Sequence, residues 1–347
     1  VTTQSQACLA ALLQSTLRRM CALVQVAFHP SQFPAAVRQE LLQSLRTRQV
    51  NPKFHYDSVK QTRKWLALHQ AYSPSRTDAD CAATYDRSFA AVAARLPSRR
   101  VHLVGLGCGG GQKDTRLLRL LQDAGREVSY TPSDVSTAMV LVAHQTALAV
   151  VAPEKCSPLV CDLATAADLP AVLAQHCPLE AARLITFFGM IPNFEPQIIL
   201  PQLARLVRPA DHLLFSANLA PGLDYAAGLQ RILPLYDNGL TREWLLTFLL
   251  DLGVEQDDGA VRFRVEDDPA GSGLKRVAAY FEFRRARQLQ VEAERFEFRI
   301  GEAIRLFFSY RHTPSLVHAL LGQYGLQVLD QWITQSGEEG VFLVGRR

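Results

Sequence analysis

The sequence predicts a doubly wound α/β fold, a mostly parallel sheet with helices packed on both faces. Three observations carry this. Short apolar runs alternate with helical ones from about residue 80 to 217. A glycine-rich stretch, Gly105-Leu-Gly107-Cys-Gly109-Gly-Gly111, joins a strand to a helix. Asp134 and Asp162 close the next two strands, and such folds bind ligands at that carboxyl edge.

Taken in order, residues 4–49 read as helices, with Leu9, Leu12, Leu13 and Leu17 on one face and Pro30 and Pro34 as interruptions. The segment 54–76 is too polar and aromatic for a plain linker and suggests a lid. A helix at 80–96 leads to a strand at 100–107. Then follow helix 115–124, strand 127–133, helix 137–150 and strand 159–161. Helix 167–176, strand 182–188, helix 197–207 and strand 212–217 complete the alternation. Beyond 221 the rhythm breaks: a helical stretch at 240–252 precedes strand patterns at 261–265, 276–284 and 295–300. This reads as an inserted α+β unit, and 326–333 with 341–345 as a hairpin returning to the main sheet. The expected division is an N-terminal helical and lid segment at 1–79, a Rossmann-like core at 80–220, an inserted substrate unit at 221–310, and a C-terminal helix and hairpin at 311–347.

Composition narrows the function classes. With 48% hydrophobic and 20% charged residues the 347-residue chain can bury a sizeable core, which excludes wholesale disorder. A net charge of +4 without a basic run gives no reason to expect nucleic acid. The longest apolar stretch, 138–153, is broken by His144, Gln145 and Thr146 and is too short for a membrane span. The start, VTTQSQACLA, lacks the pattern of an export signal, so a cytoplasmic protein is expected. Seven cysteines without a C-x-x-C pair, and histidines without H-E-x-x-H spacing, support neither a disulfide framework nor a metal site.

The glycine loop lets backbone approach a ligand. At the end of the next strand, Asp134 can accept both hydroxyls of a ribose. Asp162, one strand further, is placed by the same topology to take an adenine amino group. Nicotinamide dinucleotide and S-adenosylmethionine (SAM) both satisfy these residues.

Several further motifs occur in a fixed order: Phe54-His-Tyr-Asp57, Tyr72-Ser-Pro-Ser-Arg-Thr-Asp78, the stretch 107–118, Tyr130-Thr-Pro-Ser-Asp134, Phe188-Gly-Met-Ile-Pro-Asn-Phe-Glu-Pro196, Tyr236-Asp237 and the stretch 304–310. From about residue 50 onward the chain thereby resembles the histidine-specific N-α-methyltransferases of ergothioneine biosynthesis. The resemblance implies a class I SAM-dependent fold with an inserted domain, SAM as methyl donor or substrate, and a small free amino acid as partner. It assigns Gly107, Gly109, Lys113, Asp134 and Asp162 to the SAM site, with Gly105 at the head of the loop and Phe188 in the motif after the fourth strand. It also assigns Asn193 and Tyr236 to the substrate carboxylate, and Tyr56 and Tyr72 to the surroundings of the acceptor amine.

Three departures from that family are informative. Its acid at the start of the glycine loop, which helps hold the ammonium of SAM, is Gly105 here. Its acid for the histidine imidazole, two before Ser309, is Phe307, followed by Phe308. Its loop after the fourth strand is shortened to Gly189-Met-Ile-Pro-Asn193. Histidine is therefore not the expected substrate. A SAM amine free of a carboxylate can lose its proton and attack its own Cγ, with Phe307 and Phe308 facing the sulfonium. Ring closure would give azetidine-2-carboxylate and 5′-methylthioadenosine, and the pattern resembles that expected of azetidine-forming SAM cyclases. The alternative is N-methylation of an aromatic or aliphatic amino acid, with Phe281, Phe307 and Phe308 lining its side-chain pocket. A SAM-binding protein without turnover is the third reading; the joint presence of Asp134, Asp162, Asn193 and Tyr236 argues against it.

Overall fold

The computed structural model of the chain describes residues 23–178 and 180–347; the face formed by Leu9, Leu12, Leu13 and Leu17 lies outside the described residues. The first elements are β1 (Ala27–Phe28), α1 (Pro34–Thr47), α2 (Val59–Tyr72), α3 (Pro74–Thr77), α4 (Ala79–Arg95) and β2 (Arg100–Leu106). Next come α5 (Gln112–Asp123), β3 (Glu127–Asp134), α6 (Thr137–Ala147), β4 (Leu159–Val160), α7 (Leu169–His176), β5 (Ala182–Phe188), α8 (Pro196–Leu206) and β6 (His212–Asn218). Then follow α9 (Tyr225–Tyr236), α10 (Gly239–Asp251), β7 (Gly259–Asp267), β8 (Lys275–Phe283), β9 (Arg287–Val291), β10 (Glu294–Phe298) and β11 (Ala303–Arg311). The chain ends with α11 (Pro314–Gln323), β12 (Leu326–Ile333) and β13 (Glu339–Arg346).

Eight strands form the main sheet in the order β1-β4-β3-β2-β5-β6-β13-β12. All pairs are parallel up to β6, and the β12–β13 hairpin then joins it antiparallel. The order reverses between β2 and β5, so the crevice at their carboxyl ends is the topological switch point. Strand β2 is buried from Val101 onward, as expected of a parallel strand covered on both faces. Helices α4 and α5 pack on one face through Tyr85, Phe89, Leu117 and Leu121; α8 and α11 pack on the other through Ile199, Leu203, Val317 and Leu321. A spacing of four puts each pair on a single helix face. Asp78 starts α4 by accepting the backbone N–H of Asp80 at 2.8 Å.

Between β6 and α11 lie a three-stranded antiparallel sheet, β11-β8-β7, the β9–β10 hairpin, and helices α9 and α10. Phe281, Phe283, Phe298, Trp244 and Phe248 form a core there, with Leu45 and Phe54 from the preceding segment. The indole of Trp244 donates to the His55 carbonyl at 2.7 Å, and Val50 N–H to Arg305 O at 2.8 Å. These bonds tie the 50–55 turn to this second sheet.

One local expectation is corrected. The 4–49 region is not helical throughout: Ala27–Phe28 is a strand whose neighbours pair with β4, Ala27 N–H with Pro158 O and His29 N–H with Val160 O, both 2.9 Å. Among the described residues the first α-helix begins at Pro34, where the fixed φ of proline suits a first turn. The polar 54–76 stretch is largely the helix α2, started by a Ser58–Gln61 capping box. Among the described residues no helix is long and apolar enough to cross a membrane.

One ion pair is wholly internal. Arg183 Nε donates to Asp211 Oδ2 at 3.0 Å, both side chains being 2% exposed, and the guanidinium also reaches the Leu206 carbonyl. Asp211→Ala would leave Arg183 charged and unpaired in the core, so urea denaturation is expected to show a loss of about 3–5 kcal/mol.

Candidate active site

A cavity of about 540 Å³ opens at the switch point, within the usual range for small-molecule sites. Its floor is the glycine loop. Gly107 (φ +60°) and Gly109 (φ +51°) adopt left-handed backbone that a side chain would strain. A Cβ on Gly109 would also sit 3.2 Å from the Trp65 ring of α2, which roofs the loop. Trp65 in turn stacks on His69 at 4.8 Å; burial and the nearby Lys113 and Arg76 hold that imidazole neutral, its pKa lowered to about 3.

Gly105 lies below the loop, and its surroundings correct the sequence reading. The position is not an acid-free corner. A Cβ there would lie 2.1 Å from Oδ2 of Asp114 and 2.9 Å from the Tyr130 hydroxyl. Asp114, in the first turn of α5, thus brings a carboxylate to the corner that Gly105 vacates, and it lines the cavity. Tyr130 donates to its Oδ2 at 2.7 Å and Thr186 to its Oδ1 at 2.8 Å. Burial pushes this carboxyl up to about 6, against the pull of the two hydroxyls and Lys113.

Lys113, the preceding residue, donates to the Tyr85 hydroxyl at 2.7 Å and stands 3.8 Å from Glu339 Oε1. Tyr85 in turn donates to Glu339, and its ring meets Phe188 edge-on at 5.4 Å. All four line the cavity. On the opposite side of the loop, Asp134 ends β3 and accepts Gly109 N–H at 3.2 Å and Ser136 N–H at 3.0 Å. Burial raises its carboxyl to about 6, with the backbone N–H groups opposing.

The other anticipated residues divide. Tyr56 and Tyr72 reach the cavity, Tyr56 packed against Trp65 and Trp244. Asn193 lines it too, its Nδ2 donating to the Phe308 carbonyl at 2.8 Å, which ties the loop after β5 to β11. Asp162 does not line it. Its carboxylate is engaged by Lys53 at 3.3 Å and by Ala164 N–H at 2.9 Å, and Cys161 and Leu163 form the wall instead.

Tyr236, Phe307 and Ser309 are also away from the wall. Tyr236 donates to Ser309 Oγ at 2.9 Å and accepts from Arg311 Nη2 at 2.9 Å. Phe307 packs edge-on against Trp244 at 5.7 Å. Phe308 points to the other face of β11, against Tyr310 and under the guanidinium of Arg305. Phe281 is a core residue against Phe283. The expectation that Phe281, Phe307 and Phe308 face a sulfonium or a substrate side chain is thus corrected: alternation along the strands turns these rings into cores. The aromatic rings that do line the cavity include Tyr56, Trp65, Phe188 and Phe194.

Sequence reasoning missed Asp114, Tyr85, Glu339, Trp65 and Met190. For Asp114 a signal existed, an acid next to Lys113 in a loop whose usual acid is absent. Tyr85 and Glu339 come from α4 and β13, and nothing in the sequence joins them.

Residues 36–346 match the family described as histidine-specific methyltransferase, SAM-dependent. The chain belongs to that family. This methyltransferase-family protein is a SAM-dependent enzyme, and its cavity has room for the cofactor over a glycine floor without side chains, with the Asp134 carboxylate in its wall. It is 25% identical over 276 residues to the N-methyltransferase imqF of Aspergillus flavus, covering 78% of this chain and 73% of that one. Among solved structures it is similar to the magnesium protoporphyrin IX methyltransferase ChlM of Synechocystis PCC 6803 with bound SAH (15% identity, TM-score 0.43, 85% of this chain and 97% of that one). A putative methyltransferase of Thermobifida fusca YX is similar at 10% identity and a TM-score of 0.47, covering 87% and 97%.

Proposed function

We propose that this enzyme closes the aminobutyrate chain of SAM itself into azetidine-2-carboxylate, with release of 5′-methylthioadenosine. The observation that carries the reading is that three of the family's acceptor positions, Tyr236, Phe307 and Ser309, are missing from the cavity wall. Tyr236 donates to Ser309 and accepts from Arg311, and Phe307 stands in place of an acid inside a packed core. A second amino acid would find none of those groups, whereas SAM brings its own amine.

Bound SAM supplies a sulfonium, an activated leaving group that needs no metal. The protein's tasks are then to deprotonate an amine, orient it and keep water away. Asp114 is the base for the first task. An α-amine starts near 7.7 to 8, and a buried carboxyl raised to about 6 is far better matched to it than an exposed one. Lys113, held by Tyr85 and lining the cavity, is the cation for the carboxylate, so that oxygen does not compete for Cγ. Rings such as Phe188 and Trp65 offer faces to a sulfonium, each contact giving about 0.5–2 kcal/mol.

The second reading is N-methylation of a different amine. It is favoured by the relative named as an N-methyltransferase, and by Asp114 standing where the family keeps an acid. An acceptor would then enter past Tyr56 and Tyr72, the latter 54% exposed at the mouth. Histidine is disfavoured in either case, because Phe307 offers its imidazole no acid.

Mass spectrometry of the protein incubated with SAM alone separates the readings. Methylthioadenosine with a C4 imino acid, above the rate in a boiled control, is the expected result. No turnover until an amine is supplied, then S-adenosylhomocysteine and a methylated product, would replace cyclisation by methyl transfer.

A further inference from the structure

The shortened loop after β5, residues 189–193, is held by hydrogen bonds at both ends. Gly189 N–H donates to Ser216 Oγ at 2.9 Å, Asn193 N–H donates to Met190 O at 3.0 Å, and the Asn193 side chain binds Phe308 O at 2.8 Å. The loop is thereby pinned to β6 on one side and to β11 on the other. From this platform Met190 reaches across the cavity onto the glycine loop. A Cβ on Gly107 would lie 2.5 Å from Met190 Cγ and 2.8 Å from its Sδ and Cε. Gly107 therefore has two reasons to be glycine: its positive φ, and the thioether lying against it.

We infer that Met190 is the specificity-determining residue for the shape of the aminobutyrate chain, filling the groove over Gly107 so that the chain folds back instead of running along the loop. The inference rests on the cyclisation reading. A backbone pinned at both ends fixes where the side chain starts, and an unbranched thioether fills an irregular gap without a polar demand of its own. Folding the chain decides which nucleophile meets Cγ. When the amine, deprotonated at Asp114, attacks, the N–Cγ bond forms and the Cγ–S bond breaks. The electron pair leaves with methylthioadenosine, and the ring nitrogen retains two hydrogens and the positive charge. When the carboxylate oxygen attacks instead, the same Cγ–S bond breaks and homoserine lactone is released with the same leaving group. The two products therefore report the conformation of the chain directly.

The test compares wild type, Met190→Ala and Met190→Leu with SAM alone, reading azetidine-2-carboxylate against homoserine lactone. Expected for Met190→Ala is a rise of at least tenfold in the lactone share, while total methylthioadenosine formation changes by less. Met190→Leu, which keeps the volume, is expected to bring the ratio back to within threefold of wild type. A second readout needs no turnover. The chain has three methionines, Met20, Met139 and Met190, so methyl-labelled protein gives a spectrum in which loss of one peak in Met190→Leu assigns Met190. That peak is expected to shift when S-adenosylhomocysteine, which carries the same chain, is added. A product ratio within twofold of wild type in Met190→Ala, or a Met190 methyl that stays put while S-adenosylhomocysteine binds, overturns the inference and leaves cyclisation standing. Absence of any azetidine product from the wild type overturns the cyclisation reading, and the inference with it.

Discussion

Replacing Asp114 by Asn is expected to slow product formation about 100- to 10,000-fold, the usual contribution of a general base. The same substitution is expected to stabilise the ligand-free protein above pH 6. The Asp114 carboxyl stands at about 6 in the folded state against an ordinary 3.8, because burial disfavours its charge. A carboxyl raised in this way favours the fold fully below about pH 4. That contribution disappears as pH rises through 6, leaving a buried charge that costs about 3 kcal/mol at pH 8. Asn is neutral throughout and still accepts one of the two hydroxyl hydrogen bonds. Denaturation at pH 8 should therefore place the variant above wild type by about 2–3 kcal/mol, and at pH 4 the gap should close. Gain of stability with loss of activity is the mark of a charge kept for chemistry. A variant as active as wild type, or one less stable at both pH values, would remove Asp114 from the mechanism.

Gly105→Ala is expected to be strongly disruptive. Its Cβ would stand 2.1 Å from Asp114 Oδ2 and 2.9 Å from the Tyr130 hydroxyl, so both groups must move. Tyr130 is fully buried and has nowhere to retreat, and displacing Asp114 also breaks its bond to Thr186. Overpacking and a severed buried network together are expected to cost about 2–4 kcal/mol, and activity should fall along with the Asp114→Asn variant. The relation between the two positions is itself testable. If Asp114 has taken over the corner that the family's loop acid occupies, Gly105→Asp combined with Asp114→Gly returns the acid to the loop. The pair should recover more stability and activity than Gly105→Ala retains. Equal loss in single and double variants would separate the two positions.

Much of the frame was legible before any coordinates. The alternation at 80–217 predicted the doubly wound sheet, because parallel strands covered by helices must be continuous apolar runs. The glycine loop, Lys113 and Asp134 were legible for a local reason: each sits within a few residues of a strand end, and topology sends strand ends to one edge. Asn193 was singled out by resemblance, and the structure brings it to the cavity. Side chains whose position depends on distant partners were harder to read. Asp162 had the right topological address, yet Lys53 and the turn to Ala164 engage its carboxylate. Phe307 and Phe308 were conspicuous as a pair, but adjacent residues on a strand point to opposite faces, and each face of β11 is already packed. The helix α9, containing Pro234, was not anticipated at all, since a proline ordinarily argues against helix and packing overrode it here.

What the sequence determined by itself was therefore the sheet, its ligand edge, membership of a SAM-dependent family and the loss of the loop acid. The sheet and its ligand edge follow from periodicity and from residues close together in the chain, the family and the lost loop acid from the resemblance of motifs in a fixed order. Only the tertiary structure decided that Asp114 brings a carboxylate to the Gly105 corner, that Met190 lies on Gly107, and that Tyr236 and Ser309 bond to each other. Each of those is a contact between elements whose sequence separation carries no periodic signal. Which of two carboxylates fills a corner is settled by burial and hydrogen-bond partners that exist only once the sheet has closed around them.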